Sequence, residues 1–383
     1  MANGQGFMIP LNKTDWTNGG VRNNWCAAPN AWWGNENIKL AGGSWGDTDA
    51  AVGQQVTITI GVQGLVDPDG ASVNAIVTGA QAWACLPSPT AGYAGALVPS
   101  MGGPPTPPPS PPPVWPPPPG TQQVLLPSSN PSQYEITAGN PPPFAWIPVG
   151  HWTPQPSDIV APNTTTHCCV IANCWGVADA SGPIGDPGGH SVGQQIPADL
   201  AGIDVCTDMY QGQRNMTIVP VTGPPPQPHI AHFGFVAVNP HMREPAEVIV
   251  DVRPVTQERL DPSILRALEG GPYRDLKFTP VAQGAKTLRL RHNEHKQESR
   301  LAKMLHEAED IVEELIEKVS HPSHETSRLR VKLPPKGIHP LLCEVELEPG
   351  LPPGSVHVCD ITQTDPDKRR GGIRLVTVVV PEK

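Results

Sequence analysis

The sequence predicts a mainly β protein made of tandem immunoglobulin-like β-sandwich domains, with one long amphipathic helix inserted in the C-terminal domain. Three observations carry that expectation. Proline (50) and glycine (38) make up 88 of the 383 residues, and both interrupt helix interiors. Many short segments alternate apolar and polar residues and are separated by turn-forming strings, the pattern of sandwich strands. A single stretch free of Gly and Pro, 294–320, has helical spacing instead.

The elements follow in chain order. Val56, Ile58, Ile60 and Val62 alternate with Thr57, Thr59 and Gly61, a period of two that predicts a strand. Asp67-Pro68-Asp69-Gly70 is a turn signal, after which residues 71–86 resume as one or two strands. Segments 167–172 and 215–219 read as buried strands. The theme repeats at 232–238, 247–252, 287–291, 328–333, 341–347, 355–361 and 373–380. Between them, Leu301, Met304, Leu305, Ala308, Ile311, Val312, Leu315, Ile316 and Val319 line one helical face, and Pro322 closes it. Such a helix over 294–320 would be about 40 Å long at ~1.5 Å per residue.

Composition divides the chain. Residues 1–228 carry 17 charged side chains, with Lys13, Arg22, Lys39 and Arg214 the sole cations, against 45 charged residues in 229–383. All ten Trp lie at or before Trp175. Residues 104–119 hold 12 prolines, which favour polyproline II and cannot enter a sheet interior. The expected domains are 1–103 (Trp-rich), 121–223 (Cys-rich) and 229–383 (charged, with the helix). A polyproline loop or linker, 104–120, and a Pro-rich linker, 224–228, join them. The net charge of −10 argues against a nucleic-acid partner. No apolar run reaches 18 residues, so no membrane span is expected. The first residues, MANGQGFMIPLNKTDW, lack a basic region followed by an apolar stretch, so no secretory signal is read there.

Candidate chemistry is sparse. His167, Cys168, Cys174 and Cys206 are soft donors that zinc could use, although no C-x2-C knuckle is present and neighbours on a strand face opposite ways. A thiol nucleophile needs a base in reach, and His151 and His190 are near only in sequence. The Asp-rich turns at 67–70, 186–189 and 365–367 do not match the EF-hand calcium spacing. His292, His295, His306, His321, His324 and His339 are scattered around the helical segment. Trp16, Trp25, Trp32, Trp33 and Trp45 form a cluster that either stacks on glycans or packs at an interface. No catalytic signature and no cofactor motif is recognised, so an enzyme is not expected.

Cys343 and Cys359 are disulfide candidates. Leu341, Cys343, Val345 and Leu347 alternate with Leu342, Glu344, Glu346 and Glu348, and 348–354 is dense in turn residues. A hairpin centred on Leu351 would set Cys343 opposite Cys359, Val345 opposite His357 and Leu341 opposite Ile361. A slip of one residue would turn Cys359 outward.

Residues 52–86 (VGQQVTITIGVQGLVDPDGASVNAIVTGAQAWACL) resemble the bacterial cell-adhesion-related, CARDB-like immunoglobulin-like modules, with Gln63-Gly64 standing where that family usually has Asn-x-Gly. His167-Cys168-Cys169-Val170-Ile171-Ala172 with 212–219, and Pro353-Gly354 through Ile361-Thr362-Gln363 to Gly371-Gly372-Ile373, resemble later sandwich strands of such proteins. The resemblance covers about half the chain. It implies a sandwich fold, no catalysis, and an extracellular or surface location, with a cytoplasmic one left open by the unread signal. The expected function is a non-catalytic structural or adhesive protein that self-associates, as subunit of a homo-oligomer or fibre, with a cell-surface or glycan partner. Two alternatives stand beside it: a carbohydrate-binding module using the Trp cluster, and a metal-dependent hydrolase using the 167–206 segment.

Overall fold

The computed structural model describes residues 7–10, 33–64, 74–90, 95–97, 134–136, 144–163, 169–179, 190–196, 203–205, 208–223, 226–239, 244–281, 285–293, 314–315, 327–335, 337–365 and 368–382. Among them the chain is mainly β, as expected. In chain order the strands are β1 (Phe7–Met8), β2 (Ile38–Ala41), β3 (Val56–Gly64), β4 (Asn74–Cys85), β5 (Gly95–Leu97), β6 (Tyr134–Ile136) and β7 (Phe144–Trp152). Next come β8 (Cys169–Asp179), β9 (His190–Val192), β10 (Gln211–Arg214), β11 (Met216–Val221), β12 (His229–Val238), β13 (Ala246–Pro254) and β14 (Thr279–Pro280). The last are β15 (Thr287–His292), β16 (Glu314–Leu315), β17 (Ser327–Leu333), β18 (Ile338–Leu347), β19 (Ser355–Asp365) and β20 (Lys368–Val379).

These strands form two sandwiches. In the N-terminal one, a sheet of order β1-β3-β2, with β7 also on β3, faces a sheet of order β10-β8-β4-β5, with β6 on β4 and β9 on β8. The alternation read at 56–62 is the reason: Val56, Ile58, Ile60 and Val62 enter the core with Ile38, Leu40, Ile147, Val149, Val77 and Val170. Both sheets take strands from 1–103 and from 121–223, so the polyproline segment lies between strands that pair with each other. In the C-terminal sandwich, a sheet of order β11-β20-β19-β13-β17-β16, with β14 on β19, faces β12-β18-β15. Phe233, Phe235, Val248, Val250, Leu329, Val331, Leu341, Val345, Ile361 and Leu375 fill it. The chain passes from β10 to β11 through one residue, Asn215, so β11 joins the second sandwich ahead of the Pro-rich string at 224–228.

Two expectations change. The hairpin between 341–347 and 355–361 does not form. β18 pairs with β12 and β15, whereas β19 pairs with β13, β14 and β20, so the connection at 348–354 crosses from one sheet to the other. The residues are apolar on their core-facing positions in either arrangement, so alternation alone could not distinguish a hairpin from an arch. The helix over 294–320 lies outside the described residues except at Glu314–Leu315, which form a short strand against Val331 and Arg330.

A different helix, Pro262–Glu269, is present and was not read from the sequence. Asp261 caps it by accepting from the Ser263 amide at 2.8 Å, Pro262 occupies its first turn, and Gly270 ends it. Ile264, Ala267 and Leu268 bury its apolar stripe on the outer face of the β11-β20-β19 sheet, against Ile218, Val356, Val358, Val376 and Val378. No helix among the described residues is long and apolar enough to cross a membrane.

Candidate functional site

A set of buried polar and aromatic side chains meets at the junction between the sandwiches. Three contacts build it. The first surrounds Asn215. Its amide donates to the Trp33 carbonyl at 2.7 Å, its carbonyl accepts from the Arg374 amide at 2.8 Å, and its side-chain Nδ2 reaches the carbonyls of Ser88 (2.8 Å) and Gly372 (2.7 Å). Trp33, 1% exposed, lies flat over Gly372 of β20, where a Cβ would come within 2.5 Å of its Cε2. Close approach of the indole therefore requires glycine there.

Arg214, one residue earlier, is one of four cations in the low-charge half and is buried. Its guanidinium donates to the carbonyl of Ile38 at 3.0 Å and to Thr48 Oγ1 at 2.7 Å. Asp49 is buried beside it. Burial pushes the Asp49 carboxyl up to about 8, against the downward pull of Arg214 and of the Ile218 amide on β11. Burial likewise draws Arg214 down to about 10, and Asp49 partly offsets that. At neutral pH the guanidinium keeps its charge and Asp49 is mostly protonated, so the buried charge rests on neutral acceptors, the Ile38 carbonyl and the Thr48 hydroxyl.

The second contact is the turn Ser44–Asp47. Trp45, 7% exposed, inserts beside Ile264, Ala267 and Leu268 of the helix and lies 6.0 Å from the Tyr273 ring. Gly270 and Gly271 make room: a Cβ on either would come within 2.5 Å of Gly46 Cα or 2.2 Å of Trp45 Cε3. Arg266 of the helix pairs with Glu36 at the surface.

The third contact caps the β12 edge. The Gly234 amide and carbonyl both bond the Asn163 side chain (2.8 and 2.7 Å), and the Val236 amide donates to the Pro87 carbonyl at 2.8 Å. Leu86 and Val160 pack against Val236 and Val238 beside them. Asn163 thus acts as a substitute strand on an edge that would otherwise be open.

The residues singled out in the sequence fall as follows. Trp33 and Trp45 are spent inside the junction; Trp16, Trp25 and Trp32 lie outside the described residues. Trp146, unremarked in the sequence, is 39% exposed on the outer face of β7, with Lys39 Nζ 4.0 Å from its ring centre. Of the metal candidates, His167, Cys168 and Cys206 lie outside the described residues. Cys174 is buried, and its thiol donates to the Tyr210 carbonyl at 3.5 Å. Among the described residues no group of three or more His, Cys, Asp or Glu is arranged to hold a metal. Cys343 and Cys359 are free, fully buried thiols in the same C-terminal core. His292 and His339 meet with Nδ1 and Nε2 2.5 Å apart. Arg214, Asp49 and Asn215 were missed as site residues; the usable signal was an isolated arginine in a half almost without charge.

These groups set a pH dependence. Burial, with His292 nearby, lowers His339 to about 4, and burial alone lowers His357 to about 4. Below about 6.5 the unfolded chain takes up protons at both histidines that the folded one refuses, so stability falls as pH drops from 6.5 to 4. Asp49 acts oppositely: from its ordinary 3.8 up to about 8 the folded chain holds a proton that the unfolded one releases, so stability falls as pH rises through that window. Each group contributes up to about 1.4 kcal/mol per pH unit. Two histidines outweigh one aspartate below 6.5, and Asp49 acts alone from there to 8. Chemical denaturation across pH should therefore show a maximum near 6.5, and Asp49→Asn should flatten the alkaline side and steepen the acid side, where Asp49 no longer opposes the two histidines. A profile still rising at pH 8 would contradict this.

No family model matches the chain, and no curated protein matches it. Among solved structures it resembles the collagen adhesin of S. aureus (7% identity, 87% of this chain and 90% of that one, TM-score 0.21). It also resembles BcpA, the major pilin subunit of Bacillus cereus (13% identity, 58% and 60%, TM-score 0.21). The CupB6 tip adhesin of Pseudomonas aeruginosa is a third likeness (9% identity, 90% and 97%, TM-score 0.17). At such scores the likeness carries no argument about this chain, and no residue is transferred from it.

Proposed function

We propose that the chain is a non-catalytic structural or adhesive protein, a subunit of a surface or extracellular homo-oligomer of bacterial immunoglobulin-like type. The observation that carries the reading is the junction. Arg214, Asn215, Trp33 and Trp45, the side chains best suited to bind a ligand, are committed to fixing one sandwich on the other. A two-sandwich body with a fixed junction suits a spacer or subunit whose task is to hold a shape. The first region is also poor in charge, which suits burial against further copies of the chain through large apolar contacts. In an oxidising location, the same reading includes a bond between Cys343 and Cys359.

Sedimentation of the full chain at micromolar concentration tests the assembly. Concentration-dependent species larger than one chain are the expected result. A single 40.8 kDa species at every concentration would overturn self-association.

A further inference from the structure

We propose that the C-terminal sandwich is a tension-bearing clamp: a pull between the N-terminal sandwich and the end of the chain loads the β11–β20 ladder in shear. The proposal rests on the structural reading above for its purpose, but its geometry stands independently. β11 is the strand by which the chain enters this sandwich and β20 is the strand by which it leaves. The two are parallel neighbours, with Met216 opposite Arg374 and Val221 opposite Val379. Tension therefore pulls β11 backward from Met216 and β20 forward from Val379. The two loaded ends lie at opposite ends of the ladder, so the load is shared over all its rungs rather than concentrated on one.

The details of β11 fit that load. The Arg374 amide donates to the Asn215 carbonyl at 2.8 Å and the Val380 amide to the Val221 carbonyl at 2.9 Å, so odd-numbered residues of β11 turn their polar groups toward β20. Pro220 is even-numbered. Its missing N–H falls on the outer edge, and the ladder loses nothing. The entry point is fastened: Asn215 holds carbonyls on both sandwiches through one side chain. Outside the ladder, Ile218 packs against Ile264 and Val376 on the outer face of the sheet. Force arriving from the N-terminal sandwich thus enters β11 without a slack linker.

Single-molecule pulling of the full chain tests this in two geometries. With handles at the two chain ends, release of residues 216–380 should appear as one event that lengthens the chain by about 55 nm, at ~3.3–3.6 Å per residue. With handles at the exposed turn residue Pro353 and at the C-terminal end, the pull acts on antiparallel neighbours. Val356 and Val378, which lie next to the handles, are opposite each other, so rungs open one after another. The end-to-end event is expected at roughly twofold or more the force of this unzipping, because several hydrogen bonds must break together. Val219→Pro removes an amide that faces β20. It should bring the shear force down toward the unzipping force and leave the unzipping force unchanged. If that variant does not fold, the two geometries of the unaltered chain decide. An end-to-end force no higher than the unzipping force overturns the clamp, whatever sedimentation says; a monomer with a high shear force would overturn self-association and leave the clamp standing.

Discussion

Trp45→Ala should separate the unfolding of the two sandwiches and cost about 3–5 kcal/mol, the range for removing a large buried aromatic. The side chain belongs to the N-terminal sandwich but is buried by the helix of the C-terminal one, with Ile264, Ala267, Leu268 and Tyr273 around it. Its backbone strengthens the argument. Trp45 (φ 52), Gly46 (φ 62) and Asp47 (φ 64) occupy the left-handed region in succession, which costs a non-glycine residue roughly 1–2 kcal/mol. A tryptophan persists there because burial of the ring outweighs the strain. Trp45→Gly removes the same ring but relieves the strain, so it should be less damaging than Trp45→Ala by on the order of 1 kcal/mol. Gly271→Ala, whose new Cβ would meet the indole at 2.2 Å, should act like the loss of the ring. Urea unfolding followed by circular dichroism gives the comparison: one transition for the unaltered chain, two for Trp45→Ala. A single transition within 1 kcal/mol of the parent would show that the contact does not couple the sandwiches.

Which parts of this architecture were legible follows from what each signal encodes. Period-two alternation located strands well, because it reports directly on which side chains face a core. The segment read at 56–62 lies in β3, 328–333 and 355–361 fall within β17 and β19, and 215–219 and 373–380 overlap β11 and β20. Alternation carries no information about partners. It could not show that β3 pairs with β7 across the polyproline segment, or that β18 and β19 belong to different sheets. The composition change near residue 223 marked a change of surface chemistry, whereas the passage between sandwiches occurs at Asn215. Helix Pro262–Glu269 had readable start and stop signals in Asp261, Pro262 and Gly270, but its apolar stripe spans only Ile264, Ala267 and Leu268, too short for periodicity to stand out. The junction was the least legible part. Asn215, Asp49 and Trp45 acquire their roles from residues more than a hundred positions away, and each is unremarkable in its own segment.

Cys343 and Cys359 are expected to form a bond between the two sheets when the chain folds in an oxidising buffer. Cys343 sits on β18 opposite Phe233 and Leu290, and Cys359 on β19 opposite Leu375. Both side chains enter the same core from facing sheets. The influence of Cys343 and burial push the Cys359 thiol well above its usual range. In the folded, reduced protein the thiolate that attacks a disulfide is therefore scarce. Oxidation should be slow once folding is complete and efficient during folding, when the thiols are reachable. Two thiols would lose two protons and two electrons to an oxidant such as glutathione disulfide, leaving one S–S bond and two glutathione thiols. The closed loop is short, about 15 residues, for which the chain-entropy model gives on the order of 3 kcal/mol of added stability. Protein refolded in a glutathione redox buffer should yield a linked 343–359 peptide on mapping without reduction, and unfold at correspondingly higher urea than the reduced form. Reduced protein should resist alkylation at both positions until urea opens the core. Rapid alkylation of either cysteine in the native state, or a map in which 343 and 359 find other partners, would refute the cross-sheet bond.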